Sequence, residues 1–182
     1  MSKVRAICIS EKKGTQKVNI KEGILIENYG LKNDAHAGNW HRQVSLLSNE
    51  KISDFIKKGG NVDQGDFGEN LIVEGIDLAK LPIGTKLKIN EDILLEVTQI
   101  GKECHSHCAI FHTVGDCIMP REGIFTIVLK GGIVKIGDEI SVVEKSQTTT
   151  SSGGLFHPIR IRCCLTELIC QLCNFSFSYL SS

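Results

Sequence analysis

Apolar and β-branched residues recur along this chain in short runs, at residues 4–9, 24–26, 44–47, 71–73, 87–89, 93–100, 125–129, 133–136 and 140–143, with glycine-bearing polar turns between them. Runs of that length, bounded by turn residues, predict strands. The clearest pair is residues 86–97 (KLKINEDILLEV), where Leu87 and Ile89 alternate with Lys86 and Lys88 before Asn90, Glu91 and Asp92 turn the chain into a second strand. One segment breaks the pattern. Residues 49–58 place Ile52, Phe55 and Ile56 on one helical stripe, Ser48 stands where an N-cap belongs, and Gly59-Gly60 supplies a left-handed stop. The expected fold is therefore mainly β, with the punctuation of a barrel or sandwich and one clear helix. A weak echo between residues 81–89 (LPIGTKLKI) and 134–142 (VKIGDEISV) does not extend to a repeat array.

Composition narrows the function classes. At 182 residues and 41% hydrophobic, the chain can bury one core. Twenty-one basic residues balance twenty-one acidic ones, so there is no net field to hold a nucleic acid or an anionic membrane, and any partner must be recognised locally. Residues 1–10 lack the apolar centre of a signal peptide, and no apolar stretch is long enough for a membrane span. The expected location is the cytoplasm, where the eight cysteines stay thiols.

After Lys145 the character changes. Residues 1–145 form the expected domain, 146–154 (SQTTTSSGG) a polar linker, and 155–182 a tail carrying Cys163, Cys164, Cys170 and Cys173. The tail reads as an amphipathic appendage, as a metal site, or as an extension foreign to the domain.

Candidate chemistry concentrates in residues 99–123, QIGKECHSHCAIFHTVGDCIMPREG. A strand ends at Ile100, and Cys104, Cys108 and Cys117 follow with His105, His107 and His112. Cys104 and Cys108 are spaced to share one face of a helical turn. Lys102 and Arg121 would favour the thiolate, which is the nucleophile and metal ligand. Three readings stay open: a structural zinc site, buried cysteines that only pack, and a reactive or metal-binding cysteine. A second constellation is residues 30–45, GLKNDAHAGNWHRQVS. Arg42 offers a bidentate fork to a phosphate or carboxylate with His36 or His41 beside it, unless Asp34 and Arg42 simply pair. A third is GDFGENL at 65–71, where Glu69 and Asn70 precede a strand and either buttress the loops or touch a ligand.

In this order the segments GLKNDAHAGNWHRQVSLL, GDFGENLIVEGIDLAKLPIGTKLKI, LEVTQIGKECHSHCAIF and VGDCIMPREGIF, followed by LKGGIVKIGDEI, resemble the bacterial single-domain MOSC proteins, a family named for the C-terminal domain of molybdenum cofactor sulfurase. The likeness runs from about Lys3 to Val143. It implies a mainly β fold, a MOSC-type β-barrel with a few short helices, and a protein that binds a molybdopterin-type cofactor, or carries sulfane sulfur to it, through a cysteine. In register with relatives that reduce N-hydroxylated compounds, including the mitochondrial amidoxime-reducing component, Cys108 takes the molybdenum-binding or sulfur-carrying role and Cys104 is the accessory thiol. The same likeness puts Asp34, His36, Arg42, Glu69 and Asn70 around the cleft, with His41, Lys102 and Arg121 as further candidates for holding the cofactor.

Either the chain is a sulfur carrier or it is a molybdenum-dependent reductase; a non-catalytic zinc or packing module is the reading from another class. The implied partners are a cysteine desulfurase or other sulfur donor, and a molybdenum enzyme or cofactor-biosynthesis protein. Two departures stand out. Asn33 replaces a glycine, which asparagine tolerates because it enters the left-handed region, and Ile127 stands where relatives often carry an arginine.

Overall fold

Val44–Ser48 is buried at every position, as expected of a strand covered on both faces. The computed structural model describes residues 1–102, 111 and 115–143, all within one compact unit, Met1–Ser146. Cys104, Cys108, His105, His107 and His112, and the expected linker and tail from 146 onward, lie outside the described residues.

The elements are β1 (Lys3–Ile9), β2 (Val18–Asn19), β3 (Glu22–Ile26), β4 (Gly30–Leu31), β5 (Val44–Ser48), α1 (Asn49–Lys57), β6 (Leu71–Glu74), a 3₁₀ turn (Leu78–Lys80), β7 (Lys86–Ile89), β8 (Ile93–Ile100), α2 (Met119–Glu122), β9 (Ile124–Lys130), β10 (Gly132–Lys135) and β11 (Ile140–Val143). They form an eight-stranded sheet in the order β11-β7-β8-β9-β5-β6-β1-β2 and a three-stranded sheet, β10-β3-β4. β5 and β6 pair in parallel, which a tight hairpin cannot connect, and α1 lies in the crossover between them.

Two cores flank the large sheet. One gathers Val4, Ile7, Val44, Leu46, Leu71, Val73, Leu95 and Val128 with Leu25, Leu31 and Val134 of the smaller sheet. The other packs Ala6, Cys8, Leu47 and Ile72 against Ile52 of α1, Phe67, Ile118 and Met119. In β1 a bulge makes this division possible. Val4 pairs with Val73, and Ala6 with Ile72, so Arg5 is the extra residue. Val4 and Ala6 consequently face different cores although two apart in sequence.

The expected strands are present, and the fold is mainly β with two α-helices among the described residues. The barrel is not: among the described residues no sheet closes on itself. The exposed edge of β1 is divided between β2, which pairs at Cys8 and Ile9, and a single bridge from Lys3 to Glu139 beside β11. Closure needs a continuous ladder there. The helix also departs from its expected form. Ser48 makes no side-chain cap; its hydroxyl instead donates to Glu50 Oε2 at 2.6 Å. Ile52 is buried and Phe55 meets Phe67 edge to face at 5.2 Å, but Ile56 is 47% exposed, so the apolar stripe is narrower than its spacing suggested.

Candidate anion-binding cleft

The cleft is built on a glycine. Gly65 has φ +96°, and a Cβ there would lie 2.1 Å from the carbonyl oxygen of Lys17, so only glycine permits this approach. In the contact it allows, the Lys17 N–H donates to the Gly65 carbonyl at 3.1 Å. Glu69 fixes the same loop from beneath, accepting the Gly65 N–H at 2.8 Å and the Phe67 N–H at 3.1 Å. Its side chain has no solvent contact, and burial pushes its pKa up to about 7 against the opposing pull of those N–H groups. Asn70 joins three segments: Oδ1 accepts from Ser45 N–H at 3.1 Å, and Nδ2 donates to the Cys8 carbonyl at 3.1 Å. Glu69 and Asn70 thus act as buttresses.

Above them sits a buried ion pair. Lys17 Nζ and Asp34 Oδ1 are 2.5 Å apart, with side chains 1% and 0% exposed. Asp34 also accepts from Ser10 N–H at 3.0 Å and, through Oδ2, from its neighbour His36 N–H at 3.1 Å. Burial raises the Asp34 pKa, but Lys17 and these donors outweigh it and hold the carboxyl below its ordinary range, so Asp34 is the anion of the pair. Burial lowers the Lys17 pKa against the attraction of Asp34. Asn33, one residue before, has φ +67°, the left-handed conformation expected of it.

These residues back a cavity of about 140 Å³ whose described lining includes Thr15, Lys17, His36, Trp40, Arg42, Ser45, Phe67, Asn70, Lys102, Cys117 and Phe125. Its charged wall is cationic: Lys17, Arg42 and Lys102 line it, and no carboxylate does among the described residues. Arg42 does not pair with Asp34. Its Nε donates to Gln99 Oε1 at 2.9 Å and approaches His41 Nε2 at 3.2 Å, and its guanidinium carbon lies 5.4 Å from the Phe125 ring centre and 6.0 Å from that of Trp40. Held through Nε, the guanidinium keeps its terminal nitrogens unpaired among the described residues. His41 touches Trp40 edge to face and serves Arg42.

The structure therefore brings His36, Arg42, Asn70 and Lys102 to one cavity, with Asp34 and Glu69 behind it. Arg121 lies elsewhere, on a second cavity of about 490 Å³ with Lys51, Lys58, Asp116 and Glu122. There it pairs with Asp116 at 3.1 Å. The sequence reading missed Lys17, Trp40, Gln99 and Phe125. Nothing local marks Lys17, which follows Gly14-Thr15-Gln16 like any surface lysine and acquires its place from Asp34 and Gly65, both distant in sequence.

A family model for the MOSC domain matches residues 33–141. This chain belongs to the MOSC domain family. The family is associated with the molybdenum cofactor. Comparison with curated proteins gives no match. Among solved structures this MOSC domain is similar to the YuaD protein of Bacillus subtilis, at 21% identity and a TM-score of 0.64, over 77% of this chain and 94% of that one. It also resembles YiiM from Geobacillus stearothermophilus, at 16% identity and a TM-score of 0.59, over 81% and 78%. YiiM from Escherichia coli matches at 16% identity and a TM-score of 0.54, over 79% and 70%. At these identities the likeness concerns the fold. No helix among the described residues is long and apolar enough to cross a membrane.

Proposed function

We propose that the cationic cleft holds the phosphate-bearing end of a molybdopterin-type cofactor and that Cys108 carries sulfane sulfur to it. One observation bears most of the weight: in a chain of zero formal charge, Arg42 and Lys102 meet in one cavity with no lining carboxylate among the described residues, while Lys17, already paired with Asp34, backs the same wall. The donor set fits a phosphate. Arg42 presents a fork held by Gln99, Lys102 an exposed cation, and Asp34 offsets Lys17 so that the buried ammonium is not left alone. Phe125 and Phe67 give part of the wall an apolar face suited to a ring system.

The reactive sulfur enters through chain connectivity. Lys102 and Cys117 line the cavity and bracket the segment that contains Cys104 and Cys108. In the proposed transfer, the Cys108 thiolate attacks the outer sulfur of a donor persulfide, a sulfur–sulfur bond forms on Cys108, and the donor leaves as its thiolate. Cys104 can then displace that sulfur as hydrosulfide by forming a disulfide with Cys108, which would reset the carrier once a reducing thiol reopens it. When bound, the cofactor supplies a metal centre able to take a sulfur ligand. The donor would be a cysteine desulfurase or similar protein, the recipient a molybdenum enzyme or cofactor-biosynthesis protein, and the setting the cytoplasm.

Two measurements test this. Protein from a molybdenum-replete host should retain pterin, read as fluorescence after oxidation, and the Arg42→Ala/Lys102→Ala variant should lose most of it; equal retention removes the cleft from the proposal. Mass spectrometry after treatment with a cysteine desulfurase and cysteine should show a one-sulfur adduct on Cys108. Labelling that persists in Cys108→Ala places the sulfur elsewhere.

A further inference from the structure

We propose that Lys17 is a positioning residue that holds His36 as the neutral tautomer protonated on Nε2, so that the imidazole meets a cleft ligand as a hydrogen-bond donor and not as a base. The inference deepens the reading of the cleft and rests on it for the ligand alone; the tautomer is a property of the protein by itself.

Lys17 Nζ lies 3.5 Å from His36 Nδ1, and Asp34 Oδ2 lies 3.7 Å from the same nitrogen. The two neighbours make opposite demands, since an ammonium requires a lone pair on Nδ1 and a carboxylate favours a proton there. Donor supply decides between them. Lys17 has three N–H donors and Asp34 takes one, whereas Asp34 Oδ2 already accepts the backbone N–H of His36 at 3.1 Å. The ammonium is also the nearer group and is buried, while the ring is 34% exposed on its cavity side. With Nδ1 turned to a cation, the proton belongs on Nε2, which has no hydrogen-bond partner among the described residues. Among the described residues, the other charges acting on the ring are Lys13 and Lys102, both positive. Burial comes first, and Lys17 next, in holding its pKa below the ordinary histidine value. The ring is anchored from its backbone as well, because Trp40 Nε1 donates to the His36 carbonyl at 2.9 Å. A neutral donor alongside the Arg42 fork and Lys102 gives the cavity a wall of donors, suited to a ligand oxygen carrying full negative charge.

The test uses the full chain labelled with ¹⁵N. Long-range imidazole ¹H–¹⁵N correlation spectra at pH 7.5, with His36 assigned by its absence in His36→Gln, should show the Nε2-protonated pattern. An Nδ1-protonated or imidazolium pattern overturns the proposal without any variant of Lys17. In Lys17→Met the ring faces Asp34 alone, so the proton should move to Nδ1 or the ring should become charged, with its titration midpoint raised by about one unit or more. An unchanged pattern and midpoint remove Lys17 from the role. Where Lys17→Met does not fold, Lys17→Met/Asp34→Asn takes away both charges and should give mixed tautomers; a uniform Nε2–H signal there overturns the role equally. Neither pterin retention nor sulfur labelling reads the tautomer, so the two proposals fail separately.

Discussion

The two described cavities carry similar side chains arranged to opposite ends. Around the larger one, Lys51 pairs with Glu122 at 3.0 Å and Arg121 with Asp116 at 3.1 Å, partly or largely in solvent, so neighbours on the same surface cancel the charges. In the smaller one no matching carboxylate lines the wall among the described residues, and Asp34, just behind it, is already committed to a buried lysine. Volume alone would favour the larger cavity. Charge segregation favours the smaller, because a site for an anion must hold cations that its own chain has not neutralised. A balanced overall composition therefore says little about local recognition.

Breaking the buried pair should give the largest effect. Lys17→Met leaves Asp34 uncompensated inside the protein and is expected to cost about 3–5 kcal/mol, read from urea or thermal midpoints. Next is the pH response of Glu69. Its folded pKa, about 7, lies above the ordinary 4.5, so the folded state binds the proton more tightly. The stability it contributes is present in full below about pH 4.5 and is lost as the pH rises through about 7, on the order of 3 kcal/mol across that window. Glu69→Gln should flatten this component, checked by denaturation at pH 5 and 7.5; an equal slope in the variant would assign it to another group.

Gly65→Ala should follow, at about 2 kcal/mol or more, because the added methyl meets the Lys17 carbonyl. Gly59→Ala is the control, since it also has positive φ but nothing within 4 Å, and it should cost only about 1 kcal/mol. The smallest effects compare the cavities directly. Arg42→Ala should weaken phosphate binding about tenfold by calorimetry, the loss of one charge-assisted contact. Arg121→Ala should leave phosphate binding unchanged and move stability by less than about 1 kcal/mol. A phosphate defect in Arg121→Ala would erase the distinction.

Most of the strands were legible because each needs only a short local run of apolar or β-branched residues between turns, and Asn33 was legible because few residue types accept its backbone conformation. Ile56 was misread for a physical reason: spacing places a residue on a helical stripe, but the sheet covers only the part of that stripe nearest Ile52. Closure into a barrel depends on how two strand edges far apart in sequence meet, and no local pattern records that the edge of β1 is shared with β2. The same holds for the site. Arg42, His36 and Asn70 announced themselves by residue type within compact motifs, whereas Lys17 owes its burial to partners at positions 34 and 65.

The irregularity at Arg5 bears on how this chain aligns with others of its fold. Removing that residue would let Val4 and Ala6 follow each other opposite Val73 and Ile72 with every later inward and outward assignment preserved. Losing a residue farther along the strand would exchange the two cores for everything between the loss and the bulge. A one-position gap against a distant relative therefore belongs at Arg5, and an alignment that opens it elsewhere in this strand would match side chains from opposite faces.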